Sequence, residues 1–176
     1  VCVIEPDSTY EYASALRSSG GCRVQFTCPE NIDMSLYSLE RIKNFEHEMT
    51  SKGRPAPVDW VEGGYLFVVE PEHVAALERN VRKQQEHGCM VELLDPAGLK
   101  KRFPSINSDD LGVGALTPHD GWCDPNGLLW GYRRKAIELG AVYIKDRFVE
   151  AVIEGPKARA IVLESGDRIE AESFVN

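Results

Sequence analysis

Apolar positions along this chain follow two periods, and the change of period marks out its elements. VCVI at the start is a short continuous apolar run, the pattern of a buried strand, and it ends in the acid Glu5. From Asn31 to Met49 the positions Leu36, Leu39, Ile42, Phe45 and Met49 recur at helical spacing and predict one helix. SKGRPAP over residues 51–57 is a turn-rich linker, and Gly63-Gly64 then leads into YLFVV, a β-branched and aromatic strand. Pro71 starts a second helix, with Val74, Leu77 and Val81 on one face and Gly88 at its stop. MVELL predicts a strand, residues 96–103 a short helix closed before Pro104, and residues 111–116 another strand. Asp124-Pro125 is the clearest local signal, because Asp is a strong N-cap and Pro is favoured at the first helical position. Leu128, Leu129, Tyr132, Ala136 and Leu139 continue that helix and Gly140 ends it. AVYI and FVEAVI read as strands, and AIVLE-SGD-RIEAE as a hairpin. Tyr12 to Leu16 has no clear period, and Ser18 to Gly21 (SSGG) reads as a small-residue loop.

The order is mixed, with helices and strands alternating at both ends and a strand-rich middle. Composition agrees with a folded chain: of 176 residues, 43% are hydrophobic and 27% charged. At this length a compact monomer buries roughly 70% of its unfolded surface, enough for one sizeable core. A net charge of −8 with no basic stretch argues against nucleic acid or an anionic membrane as the main partner. No apolar run approaches the roughly 20 residues needed to span a bilayer. Five cysteines at irregular spacing, without a CxxC, read as reduced thiols rather than as a disulfide framework. The four histidines do not fall into metal-ligand spacing with them. The chain opens on a strand and closes on IEAESFVN, again within a strand, so it is expected to be part of a longer protein.

Glu5 is the first functional candidate. In a dinucleotide-binding βαβ unit the second strand ends in an acid that hydrogen-bonds the adenosine ribose, about 20 residues after a G-x-G-x-x-G turn. VCVIE fits that second strand, although a core strand with a solvated terminal acid looks the same. The glycine fingerprint itself is absent and is expected roughly 15 to 30 residues before Val1.

The stretches VIEPD, SSGGCRVQFTCPENIDMS, GGYLFV, LKKRFPSIN, DGWCDPNGLLWGYRRKAIELGA and the closing FVN, in that order and spacing, resemble the FAD-dependent oxidoreductases of the D-amino-acid oxidase and sarcosine oxidase superfamily. Within it they are most similar to the branch that includes the complex I assembly-type mitochondrial oxidoreductase and its bacterial relatives. The resemblance implies a mixed α/β fold: a partial Rossmann-like FAD-binding domain with an inserted antiparallel-sheet substrate domain. It implies residues 1–50 as the first FAD-domain segment, 58–118 as the substrate (cap) domain and 119–176 as the second FAD-domain segment.

It also implies site residues. Glu5 matches the ribose-binding acid. Ser18, Ser19, Gly20 and Gly21 match the loop that passes the pyrophosphate and flavin, where small residues permit close backbone approach. Arg23 matches a basic residue near the flavin and is the catalytic candidate; the bland alternative is a surface ion pair. Val149 matches the strand whose backbone pairs with adenine, its side chain read as core. Asp124 is expected to cap a helix, Trp122 and Trp130 to be core or interface aromatics, Cys22 to be a small packing residue, and His119 has no assigned role.

The activity implied is oxidation of a C–N bond in an amino acid or secondary amine by hydride transfer to FAD, with oxygen or a protein as electron acceptor. The alternative is a non-catalytic FAD-binding assembly factor. A nicotinamide enzyme fits less well, given the SSGG-x-R loop and the strand-rich insert. The expected compartment is the cytoplasm for a bacterial source and the mitochondrial matrix for a eukaryotic one. Taken alone, residues 1–176 are expected to hold little flavin, lacking the glycine turn whose helix N-terminus binds the pyrophosphate.

Overall fold

The structure is a computed structural model describing residues 1–176. Strand β1 (Cys2–Ile4) is followed by a long bend and by β2 (Gly21–Cys22). Helix α1 (Pro29–Lys43) has Pro at its first position and Glu30 in its first turn, both favourable at a helix N-terminus. The single helix expected over 31–49 is divided at Asn44. Its side chain donates to the Glu40 carbonyl at 3.0 Å, competing with the helical ladder, and a short helix α2 (Phe45–Glu48) then turns Phe45 fully inward.

Strands β3 (Val61–Glu62) and β4 (Tyr65–Val69) follow, then a 3₁₀ turn over Pro71–His73 that feeds α3 (Val74–Glu86). Gly88 ends α3 with φ +88°, the left-handed stop expected of it. Next come β5 (Glu92–Leu94), α4 (Pro96–Arg102), β6 (Val113–Thr117) and β7 (Gly121–Trp122). Helix α5 (Pro125–Glu138) begins as its sequence demands: the Asp124 carboxylate accepts from the Asn126 and Gly127 N–H groups, each at 2.9 Å. Strand β8 (Val142–Ile144) and the meander β9 (Phe148–Glu154), β10 (Lys157–Leu163) and β11 (Arg168–Glu170) complete the chain.

Four small sheets result. β1 and β8 pair in parallel with Val3 opposite Tyr143, joining the two ends of the sequence. β4–β6–β5 is antiparallel and lies wholly within residues 58–118. β2–β7–β3 draws one strand from each third of the chain, and β11–β10–β9 is the closing meander. One core cluster joins Val24, Ile32 and Leu39 to Val81, Cys89, Val91 and Ala115, and a smaller one gathers Phe45, Ala56, Val58 and Cys123.

The molecule exposes 11485 Å², well above the about 8,600 Å² expected of a compact monomer of its mass. The excess explains three corrections. β1 is half-buried rather than core, with Val1 98% exposed, because it has one neighbour strand only. Val149, expected inside, is 56% exposed, and Trp122 is 49% exposed, which removes the core alternative of its core-or-interface reading. No helix is long and apolar enough to cross a membrane.

Candidate functional site

The parallel pair fixes Glu5 at the carboxyl end of β1, the end of a parallel sheet at which ligands bind. Its N–H donates to the Ile144 carbonyl at 3.0 Å. One carboxylate oxygen accepts from the Asp7 N–H at 2.8 Å, which leaves the other free to accept from a ligand hydroxyl. The chain then bends around Asp7, which accepts from the Thr9 and Glu11 N–H groups at 2.9 Å each, and brings Tyr10 edge-on to Trp130.

Ser18 to Gly21 closes the bend. The Gly20 N–H donates to Ser18 Oγ at 3.0 Å and its carbonyl accepts from the Cys123 N–H at 3.0 Å. Gly20 is buried with φ +74°, and a Cβ there would lie 1.9 Å from the Cys123 oxygen, so only glycine fits. Gly21 is already in β2, paired to Trp122. The glycine's close approach is therefore to the Cys123 backbone, and the loop offers a ligand the Ser18 and Ser19 groups rather than the Gly20 donor.

Two clefts meet on β2. A cleft of about 550 Å³ is lined by Glu5, Tyr10, Ser18, Gly20 and Gly21 on one side and by α5, including Arg133, on the other. A second, of about 350 Å³, lies against α1 and includes Arg23 and Phe26. Gly21 and Cys22 line both. Glu5, Ser18, Gly20 and Gly21 are thus brought together, and Arg23 sits in the adjoining space. Ser19 is exposed at the rim, and Val149, on β9, lines neither cleft.

Arg23 does not form the surface ion pair that was its bland alternative. Its guanidinium carbon lies 5.1 Å from the Phe26 ring centre, 5.4 Å from Phe67 and 5.7 Å from Tyr65, and its buried Nε has no partner. Aromatic faces hold the cation without neutralising it. Arg133 has the same character in the larger cleft: it lies 4.9 Å from the Tyr143 ring and 5.4 Å from Trp130, and its Nε is also unpartnered. Burial pushes the Tyr10 pKa up, and the Arg133 charge beside it pulls back. Sequence reasoning passed over Arg133; the available signal was its place three residues after Trp130, on the same helical face.

Asp120 is the second residue that the sequence pattern does not single out. It is 1% exposed, and its Oδ2 accepts from Thr117 Oγ at 2.5 Å and from the Val24 N–H at 3.1 Å. Burial pushes its pKa up, against those two hydrogen bonds. Buried Gln25 donates to the Tyr65 and Ala115 carbonyls and to Thr117 Oγ at 3.0 to 3.2 Å. RVQFT and DGWCDP are therefore one structural unit, bolted together beneath β2.

Over residues 1–176 the chain matches the family described as DAO, FAD dependent oxidoreductase, and it belongs to that family. It is 37% identical over 145 residues to FAD-dependent oxidoreductase domain-containing protein 1 of Bos taurus, covering 81% of this chain and 30% of that protein. It is 31% identical over 88 residues to the mitochondrial sarcosine dehydrogenase of Homo sapiens, covering 49% of this chain and 10% of that one. In fold it is similar to glycine oxidase from Geobacillus kaustophilus, with a TM-score of 0.78 at 17% identity, over 98% of this chain and 47% of that one. L-proline dehydrogenase from P. horikoshii gives a TM-score of 0.75 at 24% identity, over 89% and 40%. The chain spans about a third of the length of the curated relatives named domain-containing protein 1.

FAD is the cofactor that family membership carries, and the residues present suit it. Glu5 holds a free carboxylate oxygen at a strand tip, and two buried guanidinium nitrogens in the clefts lack protein partners. The mixed α/β fold, with sheets matching FAD-binding oxidoreductase neighbours, is the expected one.

Proposed function

We propose that this chain is part of an FAD-dependent enzyme that oxidises a C–N bond of a small amino acid or secondary amine. The observation that carries the reading is the Arg23 cation, held outside any ion pair by three aromatic rings one strand away from the Glu5 cleft. Bound FAD supplies the two-electron acceptor for the hydride leaving the carbon that bears nitrogen. Glu5 would hold the adenosine ribose, and Ser18, Ser19, Gly20 and Gly21 the pyrophosphate side. Val149 would bring its strand to the adenine once the meander is covered.

Arg23 is the catalytic residue of this reading. Its planar fork can take a substrate carboxylate in a bidentate pair, or stabilise negative charge that develops during turnover. Residues 1–50 and 119–176 would form the FAD-binding part and residues 58–118 the cap. Oxygen or a protein would reoxidise the cofactor. The sarcosine dehydrogenase relative is a mitochondrial protein, and a mitochondrial address is the reading for a eukaryotic source.

The test is rapid-reaction measurement of flavin reduction in the full-length protein with sarcosine, proline and glycine. Arg23→Met should slow reduction on the order of 10²-fold with folding nearly intact, and Arg23→Lys should recover part of it. A change below about threefold withdraws the catalytic assignment. Bound FAD with no turnover on any amine favours the assembly-factor reading.

A further inference from the structure

Cys22 and Cys123 stand 101 positions apart in sequence, yet their sulfurs are 3.9 Å apart. They sit on one face of the β2–β7 ladder as diagonal neighbours: Cys22 opposes Gly121, and the Cys123 N–H donates to the Gly20 carbonyl one step along. That same carbonyl accepts from both thiols, at 3.4 Å from Cys22 and 3.8 Å from Cys123. Both residues line the larger cleft, one on the wall that carries the SSGG loop and one at the turn into α5. Cys22 is half-buried and reachable from that cleft, whereas Cys123 is 1% exposed.

We propose that Cys22 and Cys123 form a reversible thiol–disulfide couple in the wall of the cleft, with Cys22 the attacking thiol and Cys123 the resolving one. The sulfurs must close by about 2 Å to reach bonding distance, which for diagonal neighbours takes side-chain rotation together with a small approach of the two backbone segments. The oxidant is a hydroperoxide. The Cys22 sulfur attacks its terminal oxygen, the O–O bond breaks, and hydrogen peroxide leaves water and a sulfenic acid on Cys22. The Cys123 sulfur then attacks the Cys22 sulfur and the S–OH bond breaks, so two thiols and one peroxide give one disulfide and two waters. An external dithiol reverses it. Burial pushes the Cys22 thiol up and the Cys123 thiol to about 12. The reaction is therefore slow at neutral pH and accelerates about tenfold per pH unit below the Cys22 value. Once formed, the bond ties the SSGG strand to the start of α5 and closes a loop of about a hundred residues in the unfolded chain.

The experiment exposes the full-length protein to hydrogen peroxide at mildly alkaline pH, alkylates it, and maps non-reduced peptides by mass spectrometry. The expected product is a linked peptide pair joining Cys22 to Cys123, lighter by two hydrogens than the separate peptides and lost on adding dithiothreitol. Its melting temperature should rise by at least about 5 °C, and Cys22→Ser should abolish that rise. In Cys123→Ser, Cys22 should stop at a sulfenic acid trapped by dimedone. If both thiols of the wild type stay alkylatable, or Cys22 proceeds to sulfinic acid with no linked peptide, the couple does not exist. The readout needs no flavin, so it is independent of the proposed reaction.

Discussion

The unit beneath β2 and the open sheets at the ends of the chain show how differently one sequence can be used. Beneath β2, Val24, Gln25, Thr117 and Asp120 are buried and hydrogen-bonded across some ninety residues of sequence. In β8 and β9, and at Val1 just before β1, residues of equal apolarity stand in solvent: Val1, Val142, Phe148, Val149 and Ile153 are all exposed. Apolar side chains do not create a core by themselves. A core needs neighbours on both sides, and β1 and β8 have one neighbour each. The difference separates the part of the fold that this chain completes alone from the part that offers surfaces to more chain.

Three substitutions probe the contrast, the first with the largest effect. Gly20→Ala forces a left-handed φ of +74° on a side chain and drives its Cβ into the Cys123 carbonyl. It should cost about 3 kcal/mol or more, from backbone strain and overpacking together. Denaturant melts measure it, and a loss under about 1 kcal/mol would mean the β2–β7 contact yields easily.

Asp120→Asn comes second, at about 1 to 2 kcal/mol near neutral pH, because the one oxygen that takes both hydrogen bonds becomes an uncharged, weaker acceptor and a buried NH2 replaces the other oxygen, which has no hydrogen-bond partner. It also removes a titration. Burial holds the folded pKa of Asp120 above its unfolded value. The proton's contribution to stability is therefore full below the ordinary carboxyl pKa of about 4 and is lost as pH rises through the raised folded value. Melts of the wild type from about pH 4 upward should show that decline superposed on other groups, and the Asn variant should lack it. Identical profiles would break the assignment.

The smallest effect is on the open side. Ile153→Thr in the 176-residue chain should change stability by less than about 0.5 kcal/mol, the ordinary cost of an exposed substitution. In the full-length protein the same change should cost more than about 1 kcal/mol if further chain covers the meander. Equal effects in the two settings would show that β9 faces water in both.

Local chemistry was what the sequence made legible. The Asp124-Pro125 start of α5, the Gly88 and Gly140 stops and the YLFVV strand all depend on neighbours within a few positions, and they stand where expected. The break at Asn44 was harder to see, because it turns on one side chain reaching back four residues. Strands β2, β3 and β7, two residues each, have no periodicity to detect and exist only because three distant segments meet. Asp120 did not stand out for the same reason: its partners, Val24 and the Gln25–Thr117 network, are set by topology. Of the candidate site, Glu5 at a strand tip followed from pattern and resemblance. The aromatic clamp on Arg23 did not, since Tyr65 and Phe67 lie more than forty residues away from it.

The parallel pairing of β1 with β8 has a consequence for how the protein is made. Val3 finds Tyr143 only after some 140 further residues have been synthesised. At about 5 to 20 residues per second that is a wait of roughly 7 to 28 s before β1 can meet β8. The intervening β4–β6–β5 sheet needs no such delay, since all three strands come from the middle of the chain. Ribosome-bound intermediates should accordingly carry a protected middle, with β1 and β8 joined only after residue 144 clears the exit tunnel. Limited proteolysis of chains arrested on either side of that point would read out the order directly.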